Sequence, residues 1–331
     1  MPILSGKLSF HARAVLLLAL LLAFGSEVLL WPHAPGKTPA QWLLAGVLYP
    51  AVAALLLHIA SRYRMRDLFG LMALAGIYGI FSSILINPTS TLADVPRTWF
   101  TRVLGAHSLI GLLLLGMFLA LLPVISRRRM ITTALCVFVV SFGWGTWAKW
   151  SPTFADGITE PTPLPALLAV ASIGIALITA AVWLLARSDG EQQPLKLSRR
   201  GLVITVIVLV LALIFRLFEG SVDGLSVITL GMFALISLGV LYYQERPKGS
   251  AMLDMVNQSP GAGWAVLLVF CAVSLILGGI AGYSLERGVS ANDPVFIVTN
   301  LFTGYGIAWL PAVAGVLGAR ALIRQARMGR L

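Results

Sequence analysis

Ten long apolar runs, separated by short polar connections, follow one another along the chain. They cover residues 14–31, 40–60, 68–87, 101–125, 130–148, 163–186, 202–218, 224–243, 263–283 and 295–319. Most come close to the roughly 20 residues an α-helix needs to cross the hydrocarbon core of a bilayer. The fifth and seventh are short and the weakest of the set. Stretches such as Leu112-Leu113-Leu114-Leu115 and Val206-Ile207-Val208-Leu209-Val210-Leu211 are apolar at every position. A β-barrel would alternate. Lipid cannot hydrogen-bond a free amide, so these runs are expected to be helices, which satisfy their amides internally. The expected fold is an all-α polytopic transmembrane helix bundle of about ten spans. The connections leave no room for a separate soluble domain, so residues 1–331 form one integral membrane domain.

Composition agrees. Hydrophobic residues make up 58% of the 331, charged residues 11%, and the mean hydropathy is +0.91. Soluble domains carry about 25% charged residues, so a soluble enzyme and a disordered chain are excluded. The net charge of +11 would suit nucleic acid if it formed one patch. Instead the basic residues punctuate the chain between apolar runs, and no nucleic-acid partner is expected. The expected partner is the lipid bilayer itself. A larger membrane-protein complex or a homo-oligomer would be compatible with it.

The punctuation predicts orientation. One set of connections holds Lys7 and Arg13, Arg62 to Arg66, Arg127 to Arg129, Arg187 to Arg200, Arg246 and Lys248, and Arg320 to Arg330, 18 basic residues in all. The other set holds 6: Lys37, Arg97, Arg102, Lys149, Arg216 and Arg287. Basic residues favour the cytoplasmic side. A multi-pass protein of the inner (plasma) membrane with both termini in the cytoplasm is therefore expected. Lys7, Arg13 and the Ala23-Phe24-Gly25 step resemble a signal peptide with a small-residue cleavage site. Apolar character continues to Trp31, which favours a retained helix.

Trp31, Trp42, Trp99, Trp147 and Trp150 fall at the expected outer boundary, and Trp183 and Trp264 at the inner one, where indoles anchor helices at the headgroup level. The four histidines raise the question of haem, which needs two axial ligands at matched depth on facing helices. His58 and His107 lie at opposite depths, His11 is barely inside its span, and His33 is in a loop. No cofactor is expected, and the simpler reading of His107 is an interior hydrogen-bonded residue. Cys136 and Cys271 form no metal-ligand spacing, so no metal is expected either. No motif assigns a catalytic residue.

Thr303-Gly304-Tyr305-Gly306 resembles a potassium-channel filter shortened by one residue. It lies inside an apolar span, where a filter loop behind a pore helix has no place. A mechanical reading suits it better. Gly304, Gly306 and Pro311 are expected to break the tenth span, as Gly143 and Gly145 are expected to break the fifth. These would be the last helices of two halves, about 1–150 and 151–331, each of five spans and so inverted. Interrupted helices at matching places in inverted halves point to a midplane site in secondary transporters. Three Gly-x-Gly triplets in a chain with 32 glycines are no more than composition gives, so plain helix packing competes with this reading.

Ionisable side chains inside spans mark functional hypotheses. Glu27, Arg102 and Arg216 all sit at outer depth. Snorkelling to the outer headgroups is the simpler reading of these charges; the sharper one is a polar outer vestibule in which Glu27 pairs with Arg216 and His107 lies nearby. Asn300, Thr303 and Tyr305 are expected to add polar contacts from the tenth span.

Some of these features resemble a set of uncharacterised bacterial polytopic membrane proteins. The likeness rests on Glu27 late in the first helix, the Arg62–Arg66 loop, Tyr78-Gly79-Ile80 and Asn87-Pro88. It covers about a quarter of the chain. In those proteins Glu-Glu follows the Tyr-Gly step, where this chain has Ser82-Ser83. The resemblance implies a membrane fold and no particular activity. CAAX-protease-like intramembrane enzymes also need Glu-Glu and patterned membrane histidines, which are absent.

Three functions compete. The first is a transporter or permease-like protein for a small apolar or zwitterionic solute. The second is a non-catalytic or cofactor-holding membrane subunit of a larger complex. The third is a lipid-handling membrane enzyme. The scarcity of acids inside the spans argues against a proton pump with a buried relay.

Overall fold

The structure is a computed structural model that describes residues 9–30, 37–122, 127–156, 161–187, 195–244, 253, 263–286 and 294–327. Trp31 and His33 lie outside the described residues, as do the side chains of Trp150 and of 294–296. Ten helices are long and apolar enough to span a membrane: Phe10–Leu30, Pro39–Arg62, Leu68–Ile86, Trp99–Leu121, Arg127–Lys149, Leu164–Ala186, Arg199–Phe218, Gly224–Tyr242, Trp264–Tyr283 and Ile297–Arg327. No strand occurs among the described residues. The chain is an all-α bundle of ten spans, as the hydropathy pattern predicts.

Polar caps start these helices where the apolar runs begin. Ser9, Asp67 and Ser198 accept from the amides of Ala12, Gly70 and Gly201. Thr38 and Gln41 form a reciprocal capping box ahead of Pro39, which satisfies two amides that the helix leaves free. The tenth helix runs past its apolar stretch to Arg327, where Arg320 pairs with Asp67.

Burial is uneven. In the first four spans, 61–83% of the most apolar stretch is buried, against 18–22% in the seventh, eighth and tenth. The first four therefore make an inner group, and the later spans pack around it with large apolar side chains outward, such as Leu211, Leu235 and Leu301. The Ala23-Phe24-Gly25 step lies in this inner group, with Gly25 against Leu114 and Ile110.

Two expected helix breaks are absent. The fifth helix is continuous from Arg127 to Asp156 through Gly143 and Gly145. The tenth is continuous from Pro294 to Arg327 through Gly304, Gly306 and Pro311. The inward-facing glycines serve close packing instead. A Cβ on Gly145 would lie 2.1 Å from the Gly279 carbonyl oxygen, and one on Gly306 would lie 1.8 Å from that of Phe100. Gly304 and Pro311 are exposed.

The departures from α-helix lie elsewhere, in the inner group. Gly25–Leu30, Ser82–Ile86 and Trp99–His107 are π-helical. These segments end the first and third spans and begin the fourth, so all three lie toward the less basic face. A proline explains part of this. Pro88 has no N–H for the Ile84 carbonyl.

Candidate functional site

The three π-helical segments meet around one buried polar cluster. Ser26 Oγ lies 2.7 Å from Tyr78 Oη, 3.4 Å from Ser82 Oγ and 3.3 Å from His107 Nδ1. Ser82 Oγ is itself 3.3 Å from His107 Nδ1. Ser26, Tyr78, Ser82 and His107 have no exposed surface. Tyr78 Oη also reaches the Leu22 carbonyl at 3.1 Å, a bond in which the phenol donates. Close approach makes this possible: the Tyr78 ring fills the space a side chain on Gly111 would take.

Glu27, one residue on, forms the second part of the site. Tyr49 Oη donates to its Oε1 at 2.6 Å and Asn87 Nδ2 at 3.1 Å. Lys37 Nζ is 2.6 Å from Oε2 in an almost enclosed ion pair. Burial pulls the Lys37 ammonium below the ordinary lysine range, and the Glu27 carboxylate beside it works the other way. Lys37 also stands over the Trp42 ring at 4.9 Å.

Carbonyls around the three segments are met by side chains, most of them from other spans. Trp144 Nε1 donates to Val28 at 2.9 Å and Trp147 Nε1 to Leu30 at 2.7 Å. Thr91 Oγ1 lies 2.6 Å from the Asn87 carbonyl and 3.0 Å from that of Ser83, and its one proton is shared between them. Arg216 donates to Leu85 at 3.0 Å and to Ile86 at 3.3 Å. Ser108 Oγ donates to Val103 at 3.0 Å. A backbone group left unmet in hydrocarbon costs several kcal/mol, so these side chains are what permits the irregular turns.

The expected Glu27–Arg216 pair does not form. Arg216, 3% exposed, makes its ion pair with Glu219 at 2.8 Å, three residues on in the same chain segment. The two residues still flank one turn, since Asn87 bonds Glu27 and Arg216 holds the two carbonyls just before Asn87. Arg102 bonds the Ser90 carbonyl. The tenth span stays out of the cluster: Asn300 is exposed, and Thr303 bonds the Thr299 carbonyl of its own helix at 2.9 Å. Tyr305 packs on the core, and its buried hydroxyl has no partner among the described residues.

Two of the indoles expected as membrane anchors behave differently from the rest. Trp42 and Trp183 are largely exposed, the latter with Arg187 stacked on its ring at 3.6 Å. Trp99 and Trp147 turn inward, and Trp99 donates to Ser226 Oγ at 3.1 Å. An indole with a donor to place goes where an interior acceptor waits.

Reading ionisable residues alone missed Ser26, Lys37, Tyr49 and Ser82. The signal that would have found most of them is hydroxyl groups in the middle of otherwise apolar spans. Ser83 belongs to the same class. It is fully buried and its hydroxyl has no partner among the described residues. No group of three or more potential metal ligands occurs among the described residues.

Fold and site together define a polytopic helical membrane protein with an enclosed polar cluster toward its less basic face. No protein-family model, curated protein or solved structure matches the chain.

Proposed function

We propose that this chain is a permease-like carrier, with the Ser26–Tyr78–Ser82–His107 cluster receiving the polar part of a small zwitterionic solute. One observation carries the reading: three π-helical segments from three spans converge on the same enclosed polar groups. Such segments are frequent at functional sites, and polar groups inside a membrane bundle are costly to keep without a role. In this proposal the solute's cationic end takes the hydrogen-bond acceptors of the cluster and its carboxylate takes the donors. The Glu27–Lys37 pair stands between the cluster and the less basic face and opens to admit it.

The carrier sits in the inner membrane with the less basic face outside and both termini in the cytoplasm. The 18-to-6 division of basic residues supports that orientation. Single cysteines at positions 94 and 128 test it in intact cells from which Cys136 has been removed. A membrane-impermeant maleimide should label the first alone, and labelling of the second reverses the orientation.

Counterflow in proteoliposomes tests the transport reading. Glycine betaine, proline and alanine, each labelled, form the panel. At least one should equilibrate faster than in protein-free vesicles, and His107→Ala should slow it. Folded protein that moves none of them refutes the reading.

A further inference from the structure

We propose that the apolar cavity beside the fifth span holds one acyl chain of an anionic phospholipid, whose headgroup meets Arg128 and Arg129. The cavity measures about 420 Å³ and is walled by hydrocarbon, including Leu113, Met117, Val140, Ile178 and Leu275. It exists because the fourth and fifth spans, although consecutive, scarcely touch. The fifth span packs on the ninth instead, where Gly278, Gly279 and Gly282 let the backbones approach.

Its position suits a lipid. Leu68, Ala120 and Thr132 line the end toward the basic face, while Leu29 and Leu275 line the inner end. Cys136 lies in the wall and is exposed, and its neighbours Leu135 and Val139 are 61% and 62% exposed. The cavity is therefore continuous with the lipid-facing surface of the fifth helix.

Charge supplies the second argument. Thr132 and Thr133 in the wall lie one helical turn beyond Arg128 and Arg129, which are exposed. Arg128 and Thr132, like Arg129 and Thr133, are four residues apart on one helix and share a face, so the arginines continue the stripe that walls the cavity. A chain leaving bilayer hydrocarbon for a hydrocarbon cavity gains little from desolvation. Selectivity must come from the headgroup, and guanidinium with phosphate is a strong charge-assisted pair. The site is separate from the polar cluster and does not depend on the transport reading.

The test uses full-length protein reconstituted in vesicles of equal parts phosphatidylcholine and phosphatidylglycerol, then moved to detergent for native mass spectrometry. Wild type should retain one phosphatidylglycerol per chain in preference to phosphatidylcholine. Val140→Trp, which fills the cavity, should retain neither. Arg128→Gln with Arg129→Gln should retain the two lipids equally. Equal retention by wild type, or undiminished retention by Val140→Trp, overturns the proposal. Should Val140→Trp fail to fold, the wild-type thiols decide. Cys271 is buried, so N-ethylmaleimide reports mainly on Cys136. Labelling should be severalfold slower in vesicles with phosphatidylglycerol than in phosphatidylcholine alone, and equal rates overturn the proposal.

Discussion

The indole of Trp144, in the last third of the fifth span, donates to the carbonyl oxygen of Val28 across 2.9 Å. Val28 lies in the π-helical turn Gly25–Leu30 that ends the first span. The fifth span thus supplies hydrogen bonds to two backbone carbonyls of the first, Val28 and Leu30.

Trp144→Phe keeps the ring and removes the donor. The buried Val28 carbonyl then loses this donor, which costs about 1–3 kcal/mol. Thermal unfolding in detergent should show that loss. Trp183→Phe, at a largely exposed ring, should cost less than about 1 kcal/mol. Equal effects would mean that the Val28 bond contributes nothing.

Glu27 and Lys37 should behave as a coupled pair. Glu27→Gln leaves an ammonium in an almost enclosed site, and breaking one side of a buried pair costs on the order of 3–5 kcal/mol. Adding Lys37→Met should restore part of the stability. The corresponding cycle with Arg216→Gln should be closer to additive, because Arg216 pairs with Glu219. The reverse ranking in unfolding experiments would return Arg216 to the role of partner.

Gly306 and Gly304 are two residues apart and should differ sharply. A Cβ at Gly306 meets the Phe100 backbone at 1.8 Å, whereas one at Gly304 meets nothing within 4 Å. Gly306→Ala should destabilise by about 1–3 kcal/mol through overpacking. Gly304→Ala should be neutral, or gain up to about 1 kcal/mol from helix propensity. Melting temperatures of the two variants decide whether packing or helix breaking explains this Gly-x-Gly.

Acid should weaken the junction between the fourth and eighth spans. Asp223 accepts from Ser226 Oγ at 2.6 Å and from its amide at 2.8 Å, and Ser226 accepts from Trp99. The Ser226 hydroxyl bond leads the causes that hold this carboxyl below its ordinary value of 3.8. A depressed carboxyl contributes stability that is present above 3.8 and lost as pH falls through the folded value. Asp223→Asn should therefore melt below wild type at neutral pH, and the gap should close in acid. A gap that persists unchanged in acid would deny Asp223 this part.

The ten spans were legible in the sequence because lipid leaves a backbone one local option. Apolar length alone then shows where helices run. The identities of Glu27, Arg216 and His107 as interior groups were legible for a related reason, since polar side chains stand out in apolar runs. Their partners were not. Glu27 found Lys37, Tyr49 and Asn87, and Arg216 found Glu219 and two carbonyls, because pairing depends on how each helix is rotated and which neighbour it touches. Spans that are apolar on every side carry no stripe to report that rotation. The irregular turns were misplaced for the same cause. Gly143, Gly145, Gly304, Gly306 and Pro311 look like breaks when read along the chain, yet their helices continue. The π-helical turns form instead at Gly25–Leu30, Ser82–Ile86 and Trp99–His107, where Trp144, Arg216 and Ser108 supply donors. Local sequence determined where the chain crosses the membrane. Only tertiary packing decided where a helix can afford to be irregular, since in lipid each released carbonyl needs a donor, most often from another span.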